Sequence, residues 1–462
     1  MSRAEIEQPP MEYVVRDIRS ALRFLDRFTN LEASAGRIHG LSLEAMRGLV
    51  AVMGDPHRDV RSIHVTGTNG KGSVSAMVSS LLVAAGLKVG GYTSPHVDTV
   101  RERLTMGGEM ISEVAFAELV ADLERYTGAA PERPSYFELL TAAALLWFSN
   151  EAVEAAVVEV GLLGRYDATN VIDSDVSVVT NIGRDHTDGT GDWRRDVATE
   201  KAGIIRAGRA LVLGETSIDL REVFVAEAPD PLLERGVDFG VRGAERAVGG
   251  QLLDLWTPSG GHSEVFLPLH GVHQADNAAV ALTAAEAFLG APLGDGAVVE
   301  GFGSVSIPGR MEVAAVEPLV VLDGAHNQQA LRALVSTVPE VFGSVRRIVV
   351  VGALGPREPA ELLDELLPLA PDLVITCTAP SSRAVPAAEL ASLARRRGMV
   401  VDTVVDAVEA VRRAVSVADE ADLVLVTGSF YVLSAAREAV EALANGVDEV
   451  GSIEDWRDEP DT

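Results

Sequence analysis

The sequence predicts an α/β protein of two domains, and three observations carry that prediction. A β-branched run, Ile63 to Val65, leads through a glycine-rich turn into a small-residue helical run from Val74 to Ala85. Between about 207 and 268 the pattern changes to short alternating segments with turns, which reads as a small antiparallel sheet. From 319 onward strands and helices alternate, as in a second, Rossmann-like α/β domain. The turn Ser306–Glu312 separates the two, giving domains over 1–306 and 307–445 and an acidic tail, read as disordered, over 446–462.

Composition agrees. A chain of 462 residues exceeds one ordinary core, and 47% hydrophobic content with only 5% aromatic and 43 glycines suits packed α/β layers. A formal net charge of −29 argues against nucleic acid or an anionic membrane as partner, since both need a basic face. There are three lysines (Lys71, Lys88 and Lys201), and two of them fall inside motifs. The single cysteine, Cys377, excludes an internal disulfide and a cysteine-based zinc site, and reads as inert core in a strand. No N-terminal signal pattern and no 18-residue apolar run occurs, so the expectation is a soluble, cytoplasmic protein.

In order, residues 1–11 read as a frayed arm and 12–53 as helical, with Val14, Ile18, Leu22 and Leu25 at near-helical spacing. A second strand, Val89 onward, runs into a long loop through His96 and Arg101–Leu104, either a surface connection or a functional loop. Helices are expected over about Ser112–Tyr126 and Ser135–Phe148, then strands at 155–161 and 176–183. A helix follows Trp193. Within the small antiparallel sheet fall Ala210–Gly214 and Ser263–Leu269, and a helix begins near Leu269. The second domain places strands at 319–322, 348–351, 373–376, 400–404 and 423–427.

The chemistry gathers at strand ends. Around Lys71 stand Gly67, Gly70 and Gly72, and Ser73 opens the helix. Strand, glycine turn and helix N-terminus bring backbone N–H groups onto a phosphate, with Lys71 adding charge and Ser73 a hydroxyl for Mg²⁺. Gly70-Lys71-Gly72-Ser73 departs from the strict Walker ending by one extra glycine. Glu159 closes the apolar run 155–159, where a carboxylate is costly unless it meets a cation or the mouth of a cleft, so it reads as a Mg²⁺ ligand. The polar cluster Arg165, Asp167 and Asn170 fits a ligand loop or a structural turn equally. His186 follows the end of the strand at 176–183, where parallel sheets hold their sites, as a metal ligand or a satisfied structural histidine. Lys201 lies among small and apolar residues, as a functional group, a surface lysine or a partner of Glu200. Gln274 and Asn277 share a helix face, for a ligand edge or a cap. Asp323 and His326, Arg383 and Ser429 follow strand ends of the second domain.

Thr66–Ser73, Thr93–His96, Phe137–Thr141, Glu159–Gly161 with Gly164–Asn170, Asp185–Thr187, Glu200–Ile204, His273–Asn277, Pro308–Glu312, Asp323–Asn327 and Thr427–Ser429 stand in one order. Together they resemble the folylpolyglutamate synthases, a branch of the Mur ligases that is often also dihydrofolate synthase; the match runs from about residue 20 to 440. The resemblance implies an ATP-dependent ligase in which ATP lies over Thr68, Asn69, Gly70, Lys71, Gly72 and Ser73, with Asn277, Arg310 and Asp323 at the nucleotide. Ser73 and Glu159 would hold one Mg²⁺; Glu159, His186 and a carbamylated Lys201 would hold a second. A lysine carbamate supplies the hard oxygen donors that Mg²⁺ prefers. Phe137, Asp167 and Ala168 would meet the dihydropteroate or reduced folate, Arg383 and Ser429 the L-glutamate, and His326 would join Lys71 and Lys201 near the reacting centre. The acceptor carboxylate would take the γ-phosphoryl group as an acyl phosphate, which the glutamate amine then attacks. A monomer with no nucleic-acid or membrane partner is implied. Two alternatives are a Mur-type ligase for another carboxylate, such as a peptidoglycan precursor, and a non-catalytic nucleotide-binding module. The intact Ser73, Glu159, His186 and Lys201 argue against the module. Departures from the family pattern are Leu163 and Tyr166 in the segment Gly161–Asp167, the residues Gly189–Trp193, and Gln328 in place of a common proline.

Overall fold

The computed structural model describes residues 17–30, 42–184, 190–343, 346–355 and 358–444. The expected arm, the whole of the expected tail and His186 lie outside those residues. The chain divides into two compact units, Met1–Arg310 with Asn327–Val341, and Met311–His326 with Phe342–Thr462.

The main sheet of the first unit is built from β1 (Ser62–Thr66), β2 (Val89–Tyr92), β3 (Leu104–Met106) and β4 (Glu109–Met110). To these it adds β5 (Ala155–Glu159), β6 (Val176–Val179), β7 (Ala210–Leu213) and β8 (Leu232–Glu234). Their order is β4-β3-β2-β5-β1-β6-β7-β8, parallel from β2 to β8 and antiparallel only at the β3–β4 edge. A separate antiparallel meander follows, of β9 (Gly240–Ala247), β10 (Gly250–Thr257) and β11 (Gly260–Leu267). The helices are α1 (Ile18–Leu25), α2 (Glu44–Val52), α3 (Lys71–Ala84), α4 (Glu113–Thr127) and α5 (Tyr136–Asn150). Then come α6 (Trp193–Ala202), α7 (Arg221–Val225), α8 (Val272–Leu289), α9 (Asp295–Gly303) and α10 (Gln328–Val341).

Alternation along the strands divides the core. Ile63, Val65 and Val157 face α3, α8, α9 and the meander, while Ala156 and Val158 face α1, α2, α4 and α5. Local signals start the helices where expected. Ser135 caps α5 by accepting from Glu138 N at 3.3 Å, and its own N–H donates to Glu138 Oε2 at 2.7 Å.

The second unit holds β12 (Glu312–Val316), β13 (Leu319–Leu322), β14 (Arg347–Val351), β15 (Leu373–Thr376), β16 (Val401–Thr403) and β17 (Leu423–Thr427). Their order is β12-β13-β17-β14-β15-β16, parallel except for β12. Its helices are α11 (Pro359–Leu366), α12 (Ala387–Arg396), α13 (Ala407–Ser416) and α14 (Phe430–Ala444). Cys377 is buried just past β15, and burial pushes its thiol up to about 12, as an inert core residue requires.

Four expectations need correction. Ala210–Leu213 belongs to the parallel sheet, not the antiparallel one; all four residues are buried, as an unbroken apolar run covered on both faces should be. The hairpin β3–β4 lies where a loop was expected, and β12 runs on from the expected turn, where no strand was expected before 319; both are short and lie at sheet edges. Helix α3 begins at Lys71 rather than Val74.

Candidate active site

Strand β1 lies between β5 and β6, with Val65 in register with Glu159 and Thr66 with Val179. The carboxyl ends of all three therefore meet at the loop 67–70. Gly67 has φ +148°, and a Cβ there would stand 1.8 Å from Thr180 Oγ1. The end of β6 grips the loop directly. Thr180 Oγ1 donates to Asn69 O at 2.6 Å, while the Asn181 side chain accepts from Asn69 N and donates to Asn69 O, both at 3.0 Å. Asn181 thus serves Asn69 as a strand partner would. Sequence reasoning did not nominate Thr180 or Asn181; their position at a strand end was the available signal. Gly67→Ala should lower ADP affinity by at least about tenfold, because the loop must move to clear Thr180. Calorimetry checks this, and an unchanged affinity would show that the close approach is dispensable.

Gly70, at φ +82°, caps α3, and a Cβ on it would meet Asn277 Oδ1 at 2.7 Å. Asn277 in turn donates to Gln274 Oε1 at 3.1 Å across one helix face. Because α3 starts at Lys71, the residues Lys71, Gly72 and Ser73 form its first turn, whose N–H groups have no partner within the helix. The extra glycine has a different use from the other two. Gly72 has ordinary helical backbone, and the position of its missing Cβ is 3.5 Å from Glu159 Oε2. A side chain there would touch that carboxylate at ordinary van der Waals distance, so the first turn of α3 lies against Glu159.

Two ammonium groups converge here. Lys71 Nζ and Lys201 Nζ each donate to Gly67 O at 3.0 Å, and Lys71 also reaches Thr68 O at 3.4 Å. Lys201 is 1% exposed, which removes the surface-lysine reading. Glu159 is buried as well and accepts from Ser94 N at 3.2 Å. Burial pushes its carboxyl up to about 7, against the pull of Lys71, the Ser94 N–H, Arg310 and Arg103. His273 is held neutral, down to about 4, by burial and by Arg310. Among the described residues no group of three His, Cys, Asp or Glu gathers to hold a metal.

The loop 161–170 closes over this region. A Cβ on Gly161 would strike Phe137 Cζ at 2.3 Å, so the ring lies on the loop backbone. The polar trio makes bonds that support the turn. Asp167 accepts from Leu162 N at 2.7 Å and Thr169 N at 3.0 Å, and also from the Thr169 hydroxyl. Arg165 pairs with Glu227, and Asn170 donates to Arg165 O and Gly203 O at 2.9 and 3.0 Å. These side chains shape the turn. Gly164 and Arg165 press it onto α6, with Arg165 N donating to Glu200 O at 2.9 Å beside Lys201. Ala168 is buried in the same turn.

In the second unit, Asp323 accepts from Met311 N at 2.9 Å and Ala325 N at 2.8 Å at the end of β13. His326 Nδ1 lies 2.6 Å from Gly324 O, and its ring stands edge-on to Phe430 at 5.9 Å. Buried Ser429 follows β17, with its hydroxyl accepting from Tyr431 N at 3.2 Å. Arg383 follows β15, and its Nε is buried without a hydrogen-bond partner.

Comparison with known proteins decides the family. Residues 65–285 match the Mur ligase middle domain, and residues 309–430 match the Mur ligase glutamate ligase domain. The dihydrofolate synthase/folylpolyglutamate synthase of Mycobacterium tuberculosis is 36% identical over 434 residues, covering 86% of this chain and 89% of that one. The chain belongs to the folylpolyglutamate synthase/dihydrofolate synthase family. Solved folylpolyglutamate synthases share the fold. The M. tuberculosis enzyme complexed with ADP matches with a TM-score of 0.84 at 34% identity, covering 92% of this chain and 98% of that one. Escherichia coli FolC in complex with DHPP and ADP matches with a TM-score of 0.82 at 30% identity, over 94% and 100%. As a member of the folylpolyglutamate synthase family, the chain is an ATP-dependent ligase of the Mur type. No helix among the described residues is long and apolar enough to cross a membrane.

Two departures from the folylpolyglutamate synthase pattern acquire a geometry. Leu163 replaces a glycine and sits at φ +58°, a left-handed conformation that costs a non-glycine residue about 1 kcal/mol. Thr66 Oγ1 holds it there by donating to Leu163 O at 2.7 Å. Gln328 opens α10, a first-turn position where proline also fits, and Asn327 caps that helix by accepting from Ala330 N at 2.9 Å.

Proposed function

We propose that this enzyme joins L-glutamate to the carboxylate of dihydropteroate or a reduced folate, through an acyl phosphate made from ATP. The observation that carries the reading is the convergence of Lys71, Lys201, Glu159 and the first turn of α3 on the loop 67–70. The triphosphate of ATP would lie along Thr68–Ser73, with Asn277, Arg310 and Asp323 as further nucleotide contacts. Charge building on the transferring phosphoryl group would meet the Lys71 ammonium and the N–H groups of the α3 first turn, already aimed before reaction. The acceptor would lie on the loop 161–170 with Phe137 and Ala168, and Asp167 would keep that loop in shape. Arg383 carries an unpartnered buried Nε, a donor suited to the glutamate carboxylates, with Ser429 and His326 as further contacts.

Mg²⁺ fits the donors present. Ser73 and Glu159 would hold one ion; Glu159, His186 and a carbamate on Lys201 would hold another. A bound ion would neutralise phosphate oxygens and favour in-line transfer. The fit rests on Glu159, a carboxylate whose burial is costly without a cation, and on Lys201, a buried amine sharing a carbonyl with a second ammonium. Carbamylation would turn that like-charged pair into an attractive one. We place the enzyme in the cytoplasm as a monomer.

The test is ADP release at saturating ATP and L-glutamate, with dihydropteroate and tetrahydrofolate as separate acceptors. Both acceptors should stimulate release. No release above background with either would overturn the proposal, and stimulation by a UDP-linked precursor alone would favour a different Mur-type acceptor.

A further inference from the structure

Strand β1 turns Ile63 and Val65 into the α3–α8 core and presents His64 and Thr66 to the opposite face, under the loop 161–170. Both hold that loop. Thr66 fixes its beginning through Leu163 O, and His64 fixes its end, with Nε2 2.8 Å from Thr169 Oγ1. His64 is completely buried, and its Nδ1 has no hydrogen-bond partner.

The direction of these bonds follows from counting protons. Burial raises the Asp167 carboxyl, while the N–H groups of Leu162 and Thr169 and the Thr169 hydroxyl favour its ionised form; as a carboxylate it only accepts, so the Thr169 hydroxyl gives its proton to it. His64 must therefore be the donor, as the Nε2–H tautomer. Burial keeps the ring neutral, pushing it down to about 3, as this arrangement requires. An apolar side chain would fill the same space without leaving a ring nitrogen unpaired, so packing alone does not account for a histidine.

We propose that His64 is a positioning residue for the acceptor: its Nε2–H orients the Thr169 hydroxyl and, through it, the Asp167 carboxylate and the loop 161–170. The inference rests on the reading of that loop as the acceptor site. It extends the site to a central-strand residue that makes no contact with the acceptor.

The test compares His64→Met, His64→Gln and Thr169→Val with the wild type, using ADP release with dihydropteroate or tetrahydrofolate. Methionine keeps volume and removes the donor; glutamine places an amide N–H near the Nε2 position. His64→Met and Thr169→Val should each raise the acceptor KM by roughly three- to tenfold, with the ATP KM within about twofold. His64→Gln should restore most of the loss, and the double variant His64→Met/Thr169→Val should be no worse than either single one. Equal shifts in acceptor and ATP KM, failure of glutamine to rescue, or additive losses would each overturn the inference. Should His64→Met fail to fold, Thr169→Val and His64→Gln still decide it. Absence of acceptor-stimulated release in the wild type would instead count against the proposed function.

Discussion

Lys201→Ala should reduce acceptor-dependent ADP release by on the order of a thousandfold or more, since it removes the side chain proposed to hold Mg²⁺ as a carbamate beside the transferring phosphoryl group. The side chain is buried and donates to Gly67 O beside Lys71 Nζ, so its loss also opens space next to the phosphate loop. Lys201→Met separates the two effects, because it keeps most of the volume while removing the amine. Both variants should bind ADP within about threefold of the wild type, as Thr180, Asn181 and the α3 first turn still shape the loop. If the working group is a carbamate, a small carboxylate such as acetate should partly restore the alanine variant, whereas bicarbonate should not. Wild-type enzyme with ¹³C-labelled bicarbonate should give a carbamate NMR signal that Lys201→Ala lacks. Unaltered turnover in both variants would remove Lys201 from catalysis.

Glu159→Gln should lower activity by a similar order, about a thousandfold, and abolish the response to Mg²⁺. The wild-type pH behaviour supplies an independent readout. Burial raises the Glu159 carboxyl from 4.5 to about 7 in the folded chain. Between those values the folded protein holds a proton that the unfolded chain has released, so the contribution of this group to stability falls as pH rises through that window. The metal-free enzyme should therefore lose thermal stability from pH 5 to pH 8 through this group, and Glu159→Gln should lack that component. Mg²⁺ competes with the proton for the same oxygens. Its affinity should drop by about tenfold per pH unit below 7, and its stabilising shift in Tm should be larger at pH 8 than at pH 6. An equal Mg²⁺ shift at both pH values, retained in Glu159→Gln, would show that the ion binds elsewhere.

Local patterns in the sequence reached far into this molecule. The glycine spacing around Lys71 and the apolar run ending in Glu159 are one-dimensional signals of a helix start and a strand end, and small and apolar neighbours signal the burial of Lys201. The structure keeps these residues where the signals placed them, with Lys71 and Lys201 meeting at one carbonyl oxygen. Short edge strands were less legible. Leu104–Met106 and Glu312–Val316 span three and five residues, with little alternation to distinguish them from turns. Ala210–Leu213 was read as a strand but given the wrong sheet, because an apolar run states burial and not its neighbours.

By itself, then, the sequence determined the α/β class, the family and the identity of the charged groups at the phosphate loop, because helix and strand periodicities and turn residues act over a few positions. Tertiary structure alone decided which side chains hold the loops in place. Asn181 pairs with Asn69 across 112 residues of chain, His64 reaches Thr169 across 105, and Asp167 turns its carboxylate into its own loop. A hydrogen bond spanning such separations leaves no periodic trace in either segment. It forms because parallel strands bring their carboxyl ends to one edge, where buried polar groups must find partners.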